Sequence, residues 1–408
     1  MFIANRSRLI GLVHSVAFVC ALTFSVSAAE TGATKPLNLP LPDPLVAPDG
    51  SRVTTAEQWT KQQRPRILEL FRANIYGRNT VDRPGQLTFA VRDDQPSTFG
   101  GKARRKQVRI TYGGPGGEGH IDATLYIPTT VAPRGTFLLI VNRSRTLIDE
   151  AESEPSEYWP VERIIDRGYA TVAFHYSDTA VDEVADHFQH GVFPVYGPSS
   201  RQPDSWGALA AWAWGASRVI AYLETDPAVA GKPIAVAGQS RGGKAALWCG
   251  AQDTRVALTI SNDSGQSGAA LTRRKVGETV EIISRVFPHW FAENYRRFAN
   301  HEADLPVDQH ELIALVAPRL VYVASAQEDT WADPTAEFGA CVEAGPVYKL
   351  FGLEGVGNPV MPGVNSPRHD GAIGYHMRTG KHNLLLADWN YFMDFADQHW
   401  TTPATVQR

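Results

Sequence analysis

Cysteine is scarce, with three residues in 408. Cys20 lies in the N-terminal leader described below, which leaves Cys249 and Cys341. An oxidising compartment permits a disulfide between them, but the sequence alone does not pair them, and Cys249 falls on a predicted helix where a buried free thiol is equally expected. Nor does any Cys/His set have the spacing of a zinc site, so no metal and no cofactor are expected. An excess of positive charge is also lacking. Lys and Arg number 39 against 43 Asp and Glu, a net charge of -4, which argues against nucleic acid as a partner. Internal repeats and low-complexity tracts are absent. Beyond residue 26 no stretch approaches the roughly 18 consecutive apolar residues of a membrane helix.

What is present begins with a leader. Arg6 and Arg8 precede an apolar stretch from Leu9 to Val26, and Val26-Ser27-Ala28-Ala29 offers small residues for cleavage. Residues 1–28 are expected to be a secretory signal peptide, placing the mature chain in the periplasm or outside the cell without a membrane partner. Its loss takes two positive charges and brings the net charge to about -6. Residues 29–53, with Pro36, Pro40, Pro42, Pro44 and Pro48, read as an extended lead-in. At 43% hydrophobic and 20% charged, the remainder has the composition of a globular protein, and 54–408 is expected to form a single catalytic domain. A monomer is expected.

A helix is predicted from Thr54 or Thr55 as N-cap toward Tyr76-Gly77, kinked or divided at Pro65. From Leu87 to Pro128 the pattern alternates (Leu87 to Val91, Val108 to Tyr112, Ile121 to Ile127), as in antiparallel strands with glycine-rich turns. Short apolar runs follow: Thr136 to Val141, Ala170 to Phe174, Pro233 to Ala237, Val256 to Ile260 and Arg319 to Ala324. Helical stretches between them, notably Trp206 to Leu223 and Lys244 to Gln252, predict a mostly parallel sheet covered on both faces. Ser177 to Asp204 has little periodicity and is long for a structureless loop, a length common in site-forming segments.

Gly238-Gln239-Ser240-Arg241-Gly242 matches G-x-S-x-G. Alone the pattern is weak, but it follows a buried-type strand and opens a helix. That is the strand–turn–helix setting in which glycines permit the sharp turn that exposes a nucleophilic serine. The fold expected is therefore the α/β-hydrolase type, a three-layer sandwich with antiparallel strands at its N-terminal side. A serine hydroxyl needs a base, and in this fold the order is Ser, acid, His. His382, in a glycine-bearing turn before a helix, is the expected base, with His376 as runner-up. Asp263 and Asp329 each follow a parallel-type strand, and either can orient the imidazole.

At this point the residues resemble a known family. Gly238-Gln-Ser-Arg-Gly-Gly-Lys-Ala-Ala-Leu, Ser261-Asn-Asp-Ser-Gly, Gly277-Glu-Thr-Val, Phe287-Pro-His-Trp-Phe, the run from Ala324 to Pro334, and Gly374 to His382 together resemble the bacterial branch of the glucuronoyl esterases, carbohydrate esterase family 15. The likeness runs from about Arg64 to the C-terminus. It implies a serine-type carboxylic ester hydrolase acting, without a metal, on esters between the glucuronic acid branches of xylan and lignin alcohols. Glucuronoxylan or a lignin–carbohydrate ester is then the partner.

The resemblance makes Ser240 the nucleophile, His382 the base and Arg241 an oxyanion donor. Lys244, Glu278 and Trp331 match sugar contacts. Asp329 corresponds to the acid of many bacterial members, and Asp263 stands where fungal members keep a glutamate. One departure is Gln239, where fungal members have a cysteine in a disulfide near the histidine. Here Asn383 follows His382 and that bridge is absent. The structural alternatives are a solvated Lys244, a Glu278 paired with Arg273 or Arg274, and a core Trp331. Two rival functions use the same fold: an acetyl xylan esterase or other carbohydrate esterase, and a non-catalytic carbohydrate-binding protein.

Overall fold

The computed structural model describes residues 37, 39–197 and 200–400, and these fall within one compact unit, Lys35–Arg408. The expected signal peptide, residues 1–28, lies outside the described residues, as does the first part of the lead-in. The rest of the lead-in is docked. Leu45 and Val53 are buried, and Gln63 donates to the carbonyls of Pro44 and Val46.

Nine strands form one sheet in the order β1-β2-β3-β5-β4-β6-β7-β8-β9. The alternating segment gives β1 (Gln86–Thr98), β2 (Ala103–Gly114) and β3 (Gly117–Pro128), paired antiparallel. β3 is antiparallel to β5 (Ala170–His175). The parallel set joins β5 with β4 (Thr136–Val141), β6 (Ile234–Gln239), β7 (Val256–Asn262), β8 (Leu320–Ala326) and β9 (Ile373–Arg378).

The continuous apolar runs follow from burial on both faces, and the pleat sorts them. In β4, Leu138 and Ile140 face one apolar core, while Phe137, Leu139 and Val141 face the other. The first core is covered by helices Ala208–Leu223 and Arg241–Gln252, the second by Val161–Asp166 and the C-terminal helix Leu386–Trp400. This is the expected three-layer α/β-hydrolase arrangement.

Two details depart from the sequence expectation or sharpen it. The first helical region does start at Thr55, whose capping box closes with Gln58. Pro65 does not divide it: the backbone stays right-handed helical through Gln63 and Arg64, and a π-type turn, Trp59–Gln63, leads directly into the α segment Arg64–Phe71 that holds the proline. A widened turn just before the proline accommodates its ring and its missing N–H. The second detail is a correction: β9 was not foreseen. Its sequence, Ile-Gly-Tyr-His-Met-Arg, is polar for a strand that is almost wholly buried although it lies at the sheet edge beyond β8, and its buried polar groups are internally paired. The runner-up histidine, His376, sits fully buried in that strand with Nε2 2.8 Å from Asp388 Oδ1.

Candidate active site

The carboxyl ends of adjacent parallel strands bring the site together, as the fold's topology requires. Ser240 follows β6, Asp263 follows β7, Asp329 lies three residues beyond β8, and His382 lies four beyond β9.

At Ser240 the backbone turns from strand into helix with φ 58° and ψ -124°, a conformation costly for a non-glycine residue. Close packing leaves little room for a side chain at either motif glycine. A Cβ on Gly238 would lie 2.1 Å from the carbonyl oxygen of Gly242, and one on Gly242 would lie 2.9 Å from Asn142 Oδ1. Ser240 makes no side-chain capping bond to the helix it precedes. The N–H groups in the first turn of Arg241–Gln252 thus receive no capping bond from Ser240, and they lie at the positive end of the helix dipole.

His382 Nδ1 lies 2.6 Å from Asp329 Oδ2. The carboxylate is buried and the imidazole about one-third exposed. With Nδ1 engaged, Nε2 is the free ring nitrogen, since it has no hydrogen-bond partner among the described residues. Asp263 is used differently. Its Oδ2 accepts the Asn383 N–H at 3.2 Å and Arg378 Nη2 at 3.3 Å, while Oδ1 has no partner. Burial, reinforced by the charge of Glu337, pushes the Asp263 carboxyl well above the usual carboxylate range, against the pull of Arg378. Arg378 also donates to the carbonyls of Thr379 and Asn383, at 3.1 and 2.6 Å, and to Asp388. It thus holds both ends of the turn that carries His382. One ligand atom each from Asp263, Asp329 and His382 lie within 4.8 Å of one another. That donor set can accept a divalent cation, but the 2.6 Å His–Asp contact uses two of its members for each other.

Beside the elbow, Lys244 is not a solvated lysine. It is 2% exposed, and Nζ donates to Glu278 Oε2 at 2.6 Å and to the Ser264 carbonyl at 2.5 Å. The alternative partners of Glu278 are spent elsewhere: Arg273 pairs with Asp308 and Arg274 with Asp333. Trp331 is not core. It is 51% exposed, and its carbonyl accepts the Glu278 N–H at 3.3 Å, which ties the tryptophan to the Lys244–Glu278 pair.

Arg241 is held from a direction the sequence did not reveal. Its Nη1 pairs with Asp182, a buried carboxylate that also accepts from Trp290 Nε1 at 2.6 Å and contacts His289 Nε2 at 2.9 Å. The guanidinium carbon lies 4.9 Å from the Trp290 ring centre, within cation–π reach. Asp182 belongs to the aperiodic 177–204 segment, whose length was the only signal of its use. His289 and Trp290 belong to the Phe287-Pro-His-Trp-Phe motif, which carried no assigned role. Arg143, also unforeseen, sets Nη2 3.3 Å from Gln239 Oε1 and 3.5 Å from Asn383 Oδ1. A guanidinium thus spans the residue before the serine and the residue after the histidine. Cys249 and Cys341 are both free and buried.

The sequence model of the fungal glucuronyl esterases matches residues 156–352. Carbohydrate esterase MZ0003, from an unknown prokaryotic organism, is 37% identical over 88% of this chain and 90% of its own. The 4-O-methyl-glucuronoyl methylesterase of Schizophyllum commune is 31% identical over 78% of this chain and 75% of its own. Among solved structures, the glucuronoyl esterase from Solibacter usitatus superposes with a TM-score of 0.83 at 36% identity, covering 89% of this chain and 99% of that one.

Proposed function

The chain belongs to the glucuronoyl esterases, carbohydrate esterase family 15, and we propose on that basis that it hydrolyses the ester between a 4-O-methyl-glucuronic acid branch of xylan and a lignin alcohol. The observation that carries the proposal is the buried Lys244–Glu278 pair one helical turn from Ser240. Hydrolysis of a simple alkyl ester has no use for such a pair. A sugar ring presenting hydroxyls beside its ester carbonyl does, because a paired lysine and carboxylate offer both donors and acceptors. The exposed Trp331 lies at the rim of the same patch.

In this mechanism Ser240 Oγ attacks the uronate carbonyl while His382 Nε2 takes its proton, and Asp329 stabilises the resulting imidazolium. The carbonyl oxygen becomes an oxyanion facing the Arg241 N–H and guanidinium, donors fixed before charge develops. His382 then gives the proton to the alcohol oxygen as the C–O bond breaks, leaving the uronate esterified to Ser240. A water molecule, deprotonated by His382, repeats the attack and releases glucuronate and the free serine. Export to the periplasm or beyond places this activity where its polymeric substrate is.

The discriminating experiment compares kcat/KM on benzyl glucuronate with that on a glucose acetate, before and after dialysis against EDTA. Expected are a clear preference for the glucuronate and no loss on chelation. Preference for the acetate would make the chain a deacetylase, and a loss restored by a divalent cation would assign Asp263, Asp329 and His382 to a metal. A second expectation concerns the oxyanion donors. Removing one such donor costs about 100- to 1000-fold in kcat, so Arg241→Ala should fall in this range with KM little changed. Asp182→Asn keeps the guanidinium and loses only its anchor, and a loss on the order of ten-fold is expected. A pure KM effect in both variants would make Arg241 a binding residue instead.

A further inference from the structure

At the carboxyl end of the elbow helix, about 18 Å of helix from Ser240 at ~1.5 Å per residue, a cavity of about 430 Å³ opens. Four arginines contribute to its wall: Arg72, Arg83, Arg218 and Arg255. Only the last is neutralised, by Asp253 and Glu224. Arg72 donates to the uncharged Gln252 Oε1, and Arg83 has no ion-pair partner among the described residues.

Arg218 is the informative one. It is 5% exposed, yet it pairs with no carboxylate among the described residues. Its Nη1 reaches the Asp82 carbonyl, its Nε has no partner, and its guanidinium carbon lies 4.7 Å from the Trp214 ring centre. Burial, with Arg255 nearby, pushes its pKa down to about 10. A buried charge is normally paired, because leaving it unpaired costs several kcal/mol. An anion in the cavity supplies what the fold does not.

The same wall carries acceptors that a bare anion cannot satisfy. Asn79 Oδ1 is buried without a donor, and the Asp82 carboxylate has no hydrogen-bond or ion-pair partner among the described residues. The buried Asn79 oxygen calls for a donor such as a hydroxyl group, and the solvent-exposed Asp82 carboxylate is free to accept from a second one. We infer that this cavity is a second, non-catalytic binding site for a carboxylated saccharide, with its carboxylate on Arg72, Arg83 and Arg218 and its hydroxyls on Asn79 and Asp82. Such a site would hold the uronate-bearing polymer at a distance from the reacting ester.

Isothermal titration of the full chain with glucuronate, glucose and inorganic phosphate, repeated on the Arg72→Ala/Arg83→Ala variant, tests the inference without requiring turnover. Glucuronate should fill one more site on the unaltered chain than on the variant, where losing two charge-assisted bonds weakens that site roughly 100-fold. Glucose should leave it empty, and kcat/KM on benzyl glucuronate should be the same for both chains. Identical glucuronate isotherms overturn the inference. Phosphate binding there as tightly as glucuronate also overturns it, in favour of an inorganic-anion pocket. A fall in kcat/KM would overturn the non-catalytic assignment.

Discussion

Ser240→Ala is expected to lower kcat on benzyl glucuronate by about 10⁶-fold, and His382→Ala by about as much, because triad members act as one unit. The double variant should be little worse than either single one. The physical reason lies in the geometry of the elbow and the His382 turn. Without the imidazole, Oγ keeps its proton, and a neutral hydroxyl is a poor nucleophile. Without Oγ, the imidazole has no bond-forming atom to serve. What survives in either case is binding and the donors at the start of the elbow helix, and the double variant retains these too. Both substitutions truncate a partly exposed side chain, so circular dichroism and melting temperature should match the unaltered chain. Multiplicative losses in the double variant would remove one of the two residues from the triad.

Asp329→Asn should cost about 10⁴-fold in kcat, the effect of leaving the base without its carboxylate. Asp263→Asn should cost on the order of ten-fold. The two acids differ in what their oxygens do. Asp329 Oδ2 lies 2.6 Å from His382 Nδ1, placed to accept its N–H and to stabilise the imidazolium that forms when Nε2 takes a proton. Asp263 spends Oδ2 on Arg378 and the Asn383 N–H, and its burial disfavours the ionised form. An amide in its place still accepts those bonds, so the turn holding His382 is retained. Steady-state kinetics on the two variants decide the matter. A silent Asp329→Asn with an inactive Asp263→Asn would mean that the chain uses the acid position of the fungal enzymes.

The sequence announces those parts of the fold whose burial is apolar. β4 to β8 are short apolar runs because both sheet faces are covered, and the period-2 pattern of β1 to β3 marks a sheet side that is partly open. β9 escaped because His376 and Arg378 are buried yet paired with Asp388, and a hydropathy pattern does not distinguish paired polar groups from exposed ones. The elbow was legible because its glycines answer a local steric demand. The choice of acid was not, since Asp263 and Asp329 both follow parallel strands, and it is the side-chain distances that favour Asp329 as the partner of His382. Asp182 is a single carboxylate in an aperiodic loop, and nothing near it in the chain signals that Arg241, fifty-nine positions on, is its partner.

The guanidinium of Arg143 links Gln239 and Asn383 by hydrogen bonds rather than by a covalent bond. A hydrogen-bonded tie of this kind has no reduction potential. Cys249 and Cys341 remain thiols, and burial raises the Cys249 thiol to about 12, leaving it almost entirely in its unreactive protonated form. Folding of the described residues therefore needs no disulfide-forming step. A thiol reductant has no bond to break at the tie that joins the serine strand to the histidine turn.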